Sequence, residues 1–285
     1  MYDFFHEEGE LLLPGGTVIS EDLDPLEDIA AAHDWLFNHQ NTAPFFSRKM
    51  IQRLVKSNPS PEYIERVSSV FVDNGSGERG DIGAVIKAIL LDEEARSADA
   101  QFAYNAGMLR EPMMRAVGLM RVLVKEKMFN RYWDNGNRWE SKLRQRPLHS
   151  PTVFNFYMPD YEPVGDIQDD GLVGPEFQLH FTTSATDYIN EAYRWGWNNT
   201  LGSSSENSFG DSNLKVETEV IFELAESPEL LINYLDKRLT YGTMSDNTRS
   251  IIRTAMNSMN NNQSSQKART ALYITLISPE YNIIH

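Results

Sequence analysis

Residues 44–61 read PFFSRKMIQRLVKSNPSP, and this stretch contains the pattern of one helix followed by the start of another. From about residue 44 to about residue 56, apolar side chains recur at the spacing of one face of an α-helix. The prolines that follow end this helix, because proline cannot continue a helix interior. Ser60 is placed to cap a new helix whose first residue is Pro61. The stretch therefore predicts two consecutive helices joined by a short proline-containing turn.

The same kind of pattern recurs along most of the chain, which predicts a mainly α fold with an irregular arrangement of many helices. Asp81 can cap a helix from Ile82 to Leu91, and a methionine-rich helix is predicted at about residues 111–127. Another helix is predicted from near Pro175 to about Trp197. Three short helices close the chain, starting at Ser227-Pro228, at Ser245-Asp246 and at about Ser265.

The N-terminal end has a different pattern. Leucines at residues 11–13 lead into Pro14-Gly15-Gly16, a turn sequence, and then into Thr17-Val18-Ile19. This order predicts a small hairpin in an extended segment at residues 1–25. The helical domain is then expected to occupy residues 26–285.

Residues 133–174 are distinguished by several prolines and many aromatic side chains. Disordered segments are poor in aromatic residues, so this composition indicates a long ordered loop. A loop of that length in a compact domain is often functional. By contrast, residues 202–213 read GSSSENSFGDSN, which predicts a flexible polar insert.

Composition restricts the function classes. A formal net charge of −15 argues against a general nucleic-acid-binding protein, which normally has a basic surface. The chain has no cysteine, which excludes disulfides, thiolate metal sites and a cysteine nucleophile. No apolar run approaches the length of a transmembrane helix, and the first residues lack the layout of a signal peptide. Taken alone, these features would place the protein in the cytoplasm.

Two short motifs have simpler explanations than the functions they suggest. Residues 75–80 spell G-x-G-x-x-G, but a dinucleotide site requires a preceding strand, and here a helix is predicted. We interpret the motif as a turn between helices. Residues 79–81 spell the adhesion tripeptide RGD, for which helix capping by Asp81 is the simpler explanation.

Candidate binding residues fall into two groups. A basic stripe on the helix predicted at residues 44–56 can bind a sulfate, phosphate or carboxylate polymer, although such stripes more often pair with the chain's own acidic residues. The long loop at residues 133–174, which we call the aromatic loop, supplies the second group, since aromatic faces bind sugars and partner proteins. The candidates are Lys49, Arg53, Lys56, Phe154, Asn155, Tyr157 and Tyr161.

Candidate catalytic residues are fewer. His6 and Glu7 form a small cluster of metal-ligand type, and His39 and Asp160 are further groups able to act as ligands or as general acid and base. The sequence lacks the HExxH spacing of a zinc site, and it contains no P-loop or nucleophile elbow. We therefore predict no metal site, and the pattern identifies no cofactor.

Several stretches together are far more specific than any of these motifs. In this order they closely resemble the bacterial domain-of-unknown-function family 1800: NTAPFFSRK (41–49), RLVKSNPSP (53–61), RGD (79–81), AILLD (88–92), EAR (94–96), LREP (109–112), SPTVFNF (150–156) and SPEYN (278–282). The resemblance covers almost the whole chain. It implies a helical protein that is exported, and it implies that this chain begins inside the family's span, so that the family's N-terminal part is absent.

Two departures from the family pattern weaken a histidine-based site. His39-Gln40 stands where the family usually has His-Pro, and His6-Glu7 stands where it usually has His-Asp. The family resemblance supplies no catalytic residues.

These observations leave two hypotheses. The first is an exported binding or scaffold module for a surface protein or an anionic polysaccharide. The alternative is a polysaccharide-related hydrolase, with or without metal assistance, whose site a missing N-terminal region completes.

Overall fold

The computed structural model describes residues 9–20, 23–97, 106–123, 139–197, 218–260 and 262–284. The described part is mainly α, as predicted, with two small antiparallel two-stranded sheets. Contacts divide the chain into two compact units, one of Met1–Leu54 with Pro59–Ala100 and one of Val55–Asn58 with Gln101–His285. The boundary predicted near residue 25 is a different division, and it stays a prediction.

The first unit contains the predicted hairpin and a set of helices. Strand β1 (Leu11–Leu12) pairs with β2 (Val18–Ile19), which confirms the hairpin. The helices are α1 (Pro25–Asn38), α2 (Thr42–Leu54), α3 (Pro61–Val72), α4 (Ile82–Leu91) and α5 (Glu93–Arg96).

Local capping chemistry sets the starts of these helices. The Ser60 hydroxyl accepts the N–H of Tyr63 at the start of α3, and the Asp81 carboxylate accepts the N–H of Ala84 at the start of α4. Both caps confirm the predictions. Helix α2 ends at Leu54, two residues before the predicted end, because the next four residues belong to the second unit.

The G-x-G-x-x-G motif is a turn between α3 and α4, as predicted. One Asp73 oxygen accepts the N–H groups of Gly75 and Gly77 at 2.8 and 2.9 Å. Arg79 donates to the carbonyl of Phe37, so the first residue of the RGD tripeptide is also engaged within the unit.

In the second unit, strand β3 (Met108–Leu109) pairs with β4 (Ile283–Ile284). Its core contains Leu119, Trp195, Ile232 and Leu272. The helices are α6 (Pro112–Leu123), a π-helical turn (Trp139–Leu143), α7 (Asp166–Asp169), a 3₁₀ helix (Pro175–Leu179), α8 (Thr182–Trp197), α9 (Glu219–Leu224), α10 (Pro228–Leu235), a second π-helical turn (Asp236–Thr240), α11 (Asp246–Asn257), α12 (Ser264–Ile277) and α13 (Pro279–Asn282).

The helix predicted from Pro175 to Trp197 is wrong as one continuous element. The 3₁₀ helix ends at Leu179 and α8 begins at Thr182. Ser184 stabilises the break, because its hydroxyl donates to the carbonyl of Leu179 at 2.6 Å and accepts the N–H of Phe181 at 3.0 Å. The insert predicted at residues 202–213 lies outside the described residues. Within the described ranges, no helix has the length and apolarity required to cross a membrane.

Candidate functional site

The buried carboxylate of Glu111 holds two residues of the aromatic loop. Glu111 directly precedes α6 and is only 6% exposed. The Tyr157 hydroxyl donates to one of its oxygens at 2.8 Å, and the Gln145 amide donates to the other. The Gln145 carbonyl oxygen accepts the N–H of Met113 at 2.9 Å. We call Glu111, Gln145 and Tyr157 the anchor cluster, since it ties α6 to the loop at two points.

Just before Tyr157 the chain forms a tight turn at residues 152–155, which we call the presenting turn. The N–H of Asn155 donates to the carbonyl of Thr152 at 3.2 Å, and the Thr152 hydroxyl accepts the N–H of Phe154 at 3.1 Å. Asn155 has a φ of 73°, in the left-handed region that asparagine tolerates better than most residues. This geometry projects Val153, which is 96% exposed, and Phe154, which is 43% exposed.

Further apolar side chains flank the presenting turn. Leu148 and Val164 are almost completely exposed, and Met158 is 38% exposed. Leu148 also has a positive φ of 62°, which is costly for a residue with a branched side chain. A run of exposed apolar groups on a hydrogen-bonded, strained backbone is typical of a surface that contacts another molecule.

The far end of the loop lines a narrow pocket of about 170 Å³. Ile167 and Leu172 line this pocket together with Met108 and Ile283 of the paired strands β3 and β4. The Asn58 side chain fixes the loop here, because it donates to the carbonyl of Val173 at 2.8 Å and accepts its N–H at 2.9 Å. Side-chain hydrogen bonds thus hold the loop at Gln145, Tyr157 and Val173.

A pair of buried arginines lies next to the anchor cluster in the sequence. Arg115 is 2% exposed, and its guanidinium donates to the carbonyl of Arg110 and to Nε2 of His180, each at 2.7 Å. It also lies over the ring of Tyr188, and Arg110 lies over the ring of Tyr281. Burial first, and the charge of Arg115 second, lower the pKa of His180 to about 4. Burial raises the pKa of Tyr188 to about 12, so both side chains are neutral at ordinary pH.

The 3₁₀ helix connects these features, since successive side chains contact different parts of the unit. Glu176 accepts a hydrogen bond from the Ser57 hydroxyl at 3.4 Å. Phe177 lines the pocket, and the Gln178 amide oxygen accepts the N–H of Met158 at 2.7 Å. We call residues 176–180 the junction, because His180 completes it by contacting Arg115.

The predicted basic stripe does not share one exposed helical face. Lys56 lies beyond the end of α2 and is only 4% exposed. Arg53 is exposed, and the Lys49 ammonium lies 5.5 Å from the centre of the Phe45 ring. Anion binding by Lys49 and Arg53 stays a prediction.

The described structure shows no cluster of the predicted catalytic residues. His6 and Glu7 lie outside the described residues. His39 follows α1, and its Nδ1 accepts the N–H of Asn41 at 3.2 Å. Asp160 is an exposed residue of the aromatic loop. In the part of the chain that the structure covers, no three histidine or acidic side chains are grouped as metal ligands would be.

Of the predicted binding residues, the structure places Phe154 and Asn155 in the presenting turn and Tyr157 in the anchor cluster. Tyr161 contributes backbone contacts, because its carbonyl accepts the N–H of Gly174 at 2.8 Å. The sequence reasoning missed the functional roles of Glu111, Gln145 and His180. The charged pair Arg110-Glu111 directly before Pro112 was the available clue, since charges flanking a helix start in an apolar context are often buried and paired.

The site's chemistry is that of positioning. The Glu111 carboxylate accepts hydrogen bonds at both oxygens, and His180 accepts one from a guanidinium. Both Glu111 oxygens and Nε2 of His180 are thus engaged with donors of the protein itself. The arrangement holds a loop in one conformation.

Comparison with known proteins gives a family without an assigned activity. Neither the curated proteins nor the solved structures that were compared include a significant match. The family model described as "Protein of unknown function (DUF1800)" matches residues 3–283, nearly the whole chain. The predicted resemblance is therefore confirmed, and the chain belongs to the DUF1800 family.

Proposed function

We propose that the chain is a non-catalytic binding module, working outside the cytoplasm, that holds a partner protein at the presenting turn. The observation that carries this proposal is the exposure of Val153 and Phe154 on a turn fixed by its own hydrogen bonds. Exposed apolar side chains lower solubility and favour aggregation, so a chain that orders them in solvent is expected to bury them against something else.

The anchor cluster supports this function because it orders the turn before binding. Tyr157 is two residues from Asn155, and its hydroxyl is bonded to a buried carboxylate. A loop that is already in its bound conformation loses less conformational entropy on association, and this raises affinity. Aromatic residues such as Phe154 are also enriched at the centres of protein interfaces.

A protein partner suits this surface better than an anionic polysaccharide does. Recognition of an acidic polymer depends on cationic donors, and the residues that the turn projects are apolar. Burial of Lys56 removes one of the three cations of the predicted basic stripe from solvent. The overall charge of −15 also repels acidic polymers.

The hydrolase stays a prediction with less support. His39 and Asp160 belong to different units, and neither lines the pocket beside Ile167 and Leu172. The extracytoplasmic location rests on the family resemblance, and recovery of the native protein in the cytoplasmic fraction of its own cells would contradict that part of the proposal.

Site-specific photo-crosslinking tests the binding function. A benzophenone amino acid replaces Phe154 in cells that make the protein natively, and the same group replaces Leu230, an exposed leucine of α10 in the same unit, as the control. We expect one discrete protein adduct from position 154 and none from position 230. The adduct's protein is then purified, and its affinity is measured for the wild type and for the double variant Val153→Asp/Phe154→Asp.

An interface centre contributes about 2–4 kcal/mol per anchoring residue, so the double variant should bind at least about 100-fold more weakly. Leu230→Asp should bind as the wild type does. Equal binding by all three proteins refutes the proposal, as does a crosslink to polysaccharide alone.

A further inference from the structure

The contact between Arg115 and His180 constrains the proton on the histidine. A guanidinium has only donors, so the 2.7 Å contact requires Nε2 of His180 to accept with its lone pair. The imidazole is therefore neutral, with its proton on Nδ1. A second proton on Nε2 would set two donors and two positive charges against each other.

The charged and titratable groups around this contact do not compensate a second charge. From the side of α6, Arg115 faces His180, and Arg110 adds its own positive charge to the surroundings of Arg115. Tyr188 of α8 and Tyr281 of α13 contribute neutral phenols. Burial and the neighbouring charge of Arg115 both lower the pKa of His180, so both oppose a positive charge on the imidazole.

The junction links His180 to the part of the loop that follows the presenting turn. His180 is two residues from Gln178, whose amide oxygen holds the N–H of Met158. The backbone N–H of His180 donates to the carbonyl of Phe177 at 2.8 Å, so the main chain that carries the imidazole is tied to the 3₁₀ helix. Displacing His180 from Arg115 therefore moves the residue that supports the loop beyond the presenting turn.

We propose that protonation of His180 opens the junction and loosens residues 148–164, so that the module releases its partner in an acidic environment. The partner's release rests on the proposed function, whereas the opening of the loop is a property of this chain alone.

The direction and size of the effect follow from linkage. A histidine whose pKa is lowered from 6.5 to about 4 in the closed state favours that state above its ordinary pKa and opposes it as pH falls. If the open state restores the ordinary pKa, the opening equilibrium rises roughly 20-fold between about pH 7 and about pH 5. Its limit, well below about pH 4, is roughly 300-fold.

Hydrogen exchange measured by mass spectrometry tests the opening on the isolated chain, with rates corrected for the intrinsic effect of pH. Peptides covering residues 148–164 should lose roughly 20-fold in protection between about pH 7 and about pH 5. Peptides from α12 report on global stability and should change far less. The variant His180→Gln keeps an acceptor for Arg115 but cannot be protonated, so it should not show the acid step. The variant His149→Gln, at an exposed histidine of the same loop, should keep it.

An NMR titration of the imidazole signals in the wild type gives a second measurement that does not depend on a variant's folding. His180 should stay neutral through the ordinary range of histidine. Titration of His180 near its ordinary value overturns the inference, and so does an acid step that persists in His180→Gln. Loop opening with unchanged affinity for the partner identified by crosslinking would overturn the acid release and leave the proposed binding function standing, whereas the absence of any such partner would contradict the proposed function and leave the acid-sensitive junction intact.

Discussion

Replacement of Tyr157 by phenylalanine tests the central structural claim, that the anchor cluster orders the presenting turn. The change removes one oxygen and keeps the buried ring, so it creates no large cavity. The lost interaction is the 2.8 Å hydrogen bond from the hydroxyl to the Glu111 carboxylate. The variant therefore isolates one hydrogen bond to a buried charge.

The expected loss in the free energy of unfolding follows from the burial of Glu111. Hydrogen bonds to charged groups contribute about 1.5–3 kcal/mol, and a buried carboxylate that loses a donor also carries a desolvation penalty. We expect a loss of about 2 kcal/mol in the free energy of unfolding of the second unit. For a unit of this size the corresponding fall in Tm is about 4–8 °C.

The matched control is Tyr161→Phe. Tyr161 belongs to the same loop and is partly buried, and its described hydrogen bonds are made by its backbone. Its replacement should change the free energy of unfolding by less than about 0.5 kcal/mol. Urea unfolding and calorimetry compare the two variants with the wild type.

Local exchange makes the test sharper, because the loop can open without global unfolding. A local loss of about 2 kcal/mol lowers the protection of residues 148–164 by roughly 30-fold. Equal effects of Tyr157→Phe and Tyr161→Phe, or an unchanged protection of the loop in Tyr157→Phe, would refute the role of the anchor cluster.

Two further predictions concern stability. Gly80 has a φ of +79°, and an added Cβ would lie 2.5 Å from Cζ of Phe37. Gly80→Ala should therefore lower the free energy of unfolding of the first unit by about 2–3 kcal/mol, measured by thermal unfolding. Gly75 is the control, since its φ is +90° and an added Cβ would meet nothing within 4 Å. Gly75→Ala should cost only the backbone strain of about 1 kcal/mol. An equal loss of stability in both variants would exclude the clash with Phe37. Asp236 is 5% exposed and accepts hydrogen bonds from a hydroxyl, a backbone N–H and a guanidinium. Asp236→Ala should therefore cost about 3–5 kcal/mol in urea unfolding. Glu229→Ala removes an exposed carboxylate that pairs with Arg253, and its effect on unfolding should be much smaller.

Features that depend on neighbouring residues in the sequence were predictable. The caps at Ser60, Asp81 and Ser245 each require only a side-chain oxygen and an N–H three residues later. The N-terminal hairpin likewise follows from two short apolar runs and the turn between them.

Features that depend on distant contacts were not predictable. The anchor cluster joins residues 34 and 46 positions apart in the sequence, and the contact of Arg115 with His180 spans 65 positions. Helical periodicity continued through His180, and the break there is stabilised by a histidine–arginine contact and by Ser184. The early end of α2 and the burial of Lys56 have the same origin, since the adjoining Ser57 N–H bonds the carbonyl of Gly107 at 3.1 Å.

The placement of charge explains why residues 148–164 should respond to mild acid more than the helical core does. The core around Trp195 and Leu272 is mainly apolar, and apolar burial does not depend on a proton. The presenting turn is held instead by a carboxylate, an amide and a histidine–arginine contact, whose strength depends on protonation and on exact geometry. Such a loop can be ordered at neutral pH although it lacks the large apolar contact area that would keep it ordered at every pH. The same buried charges that order the turn for binding therefore make its order conditional on pH.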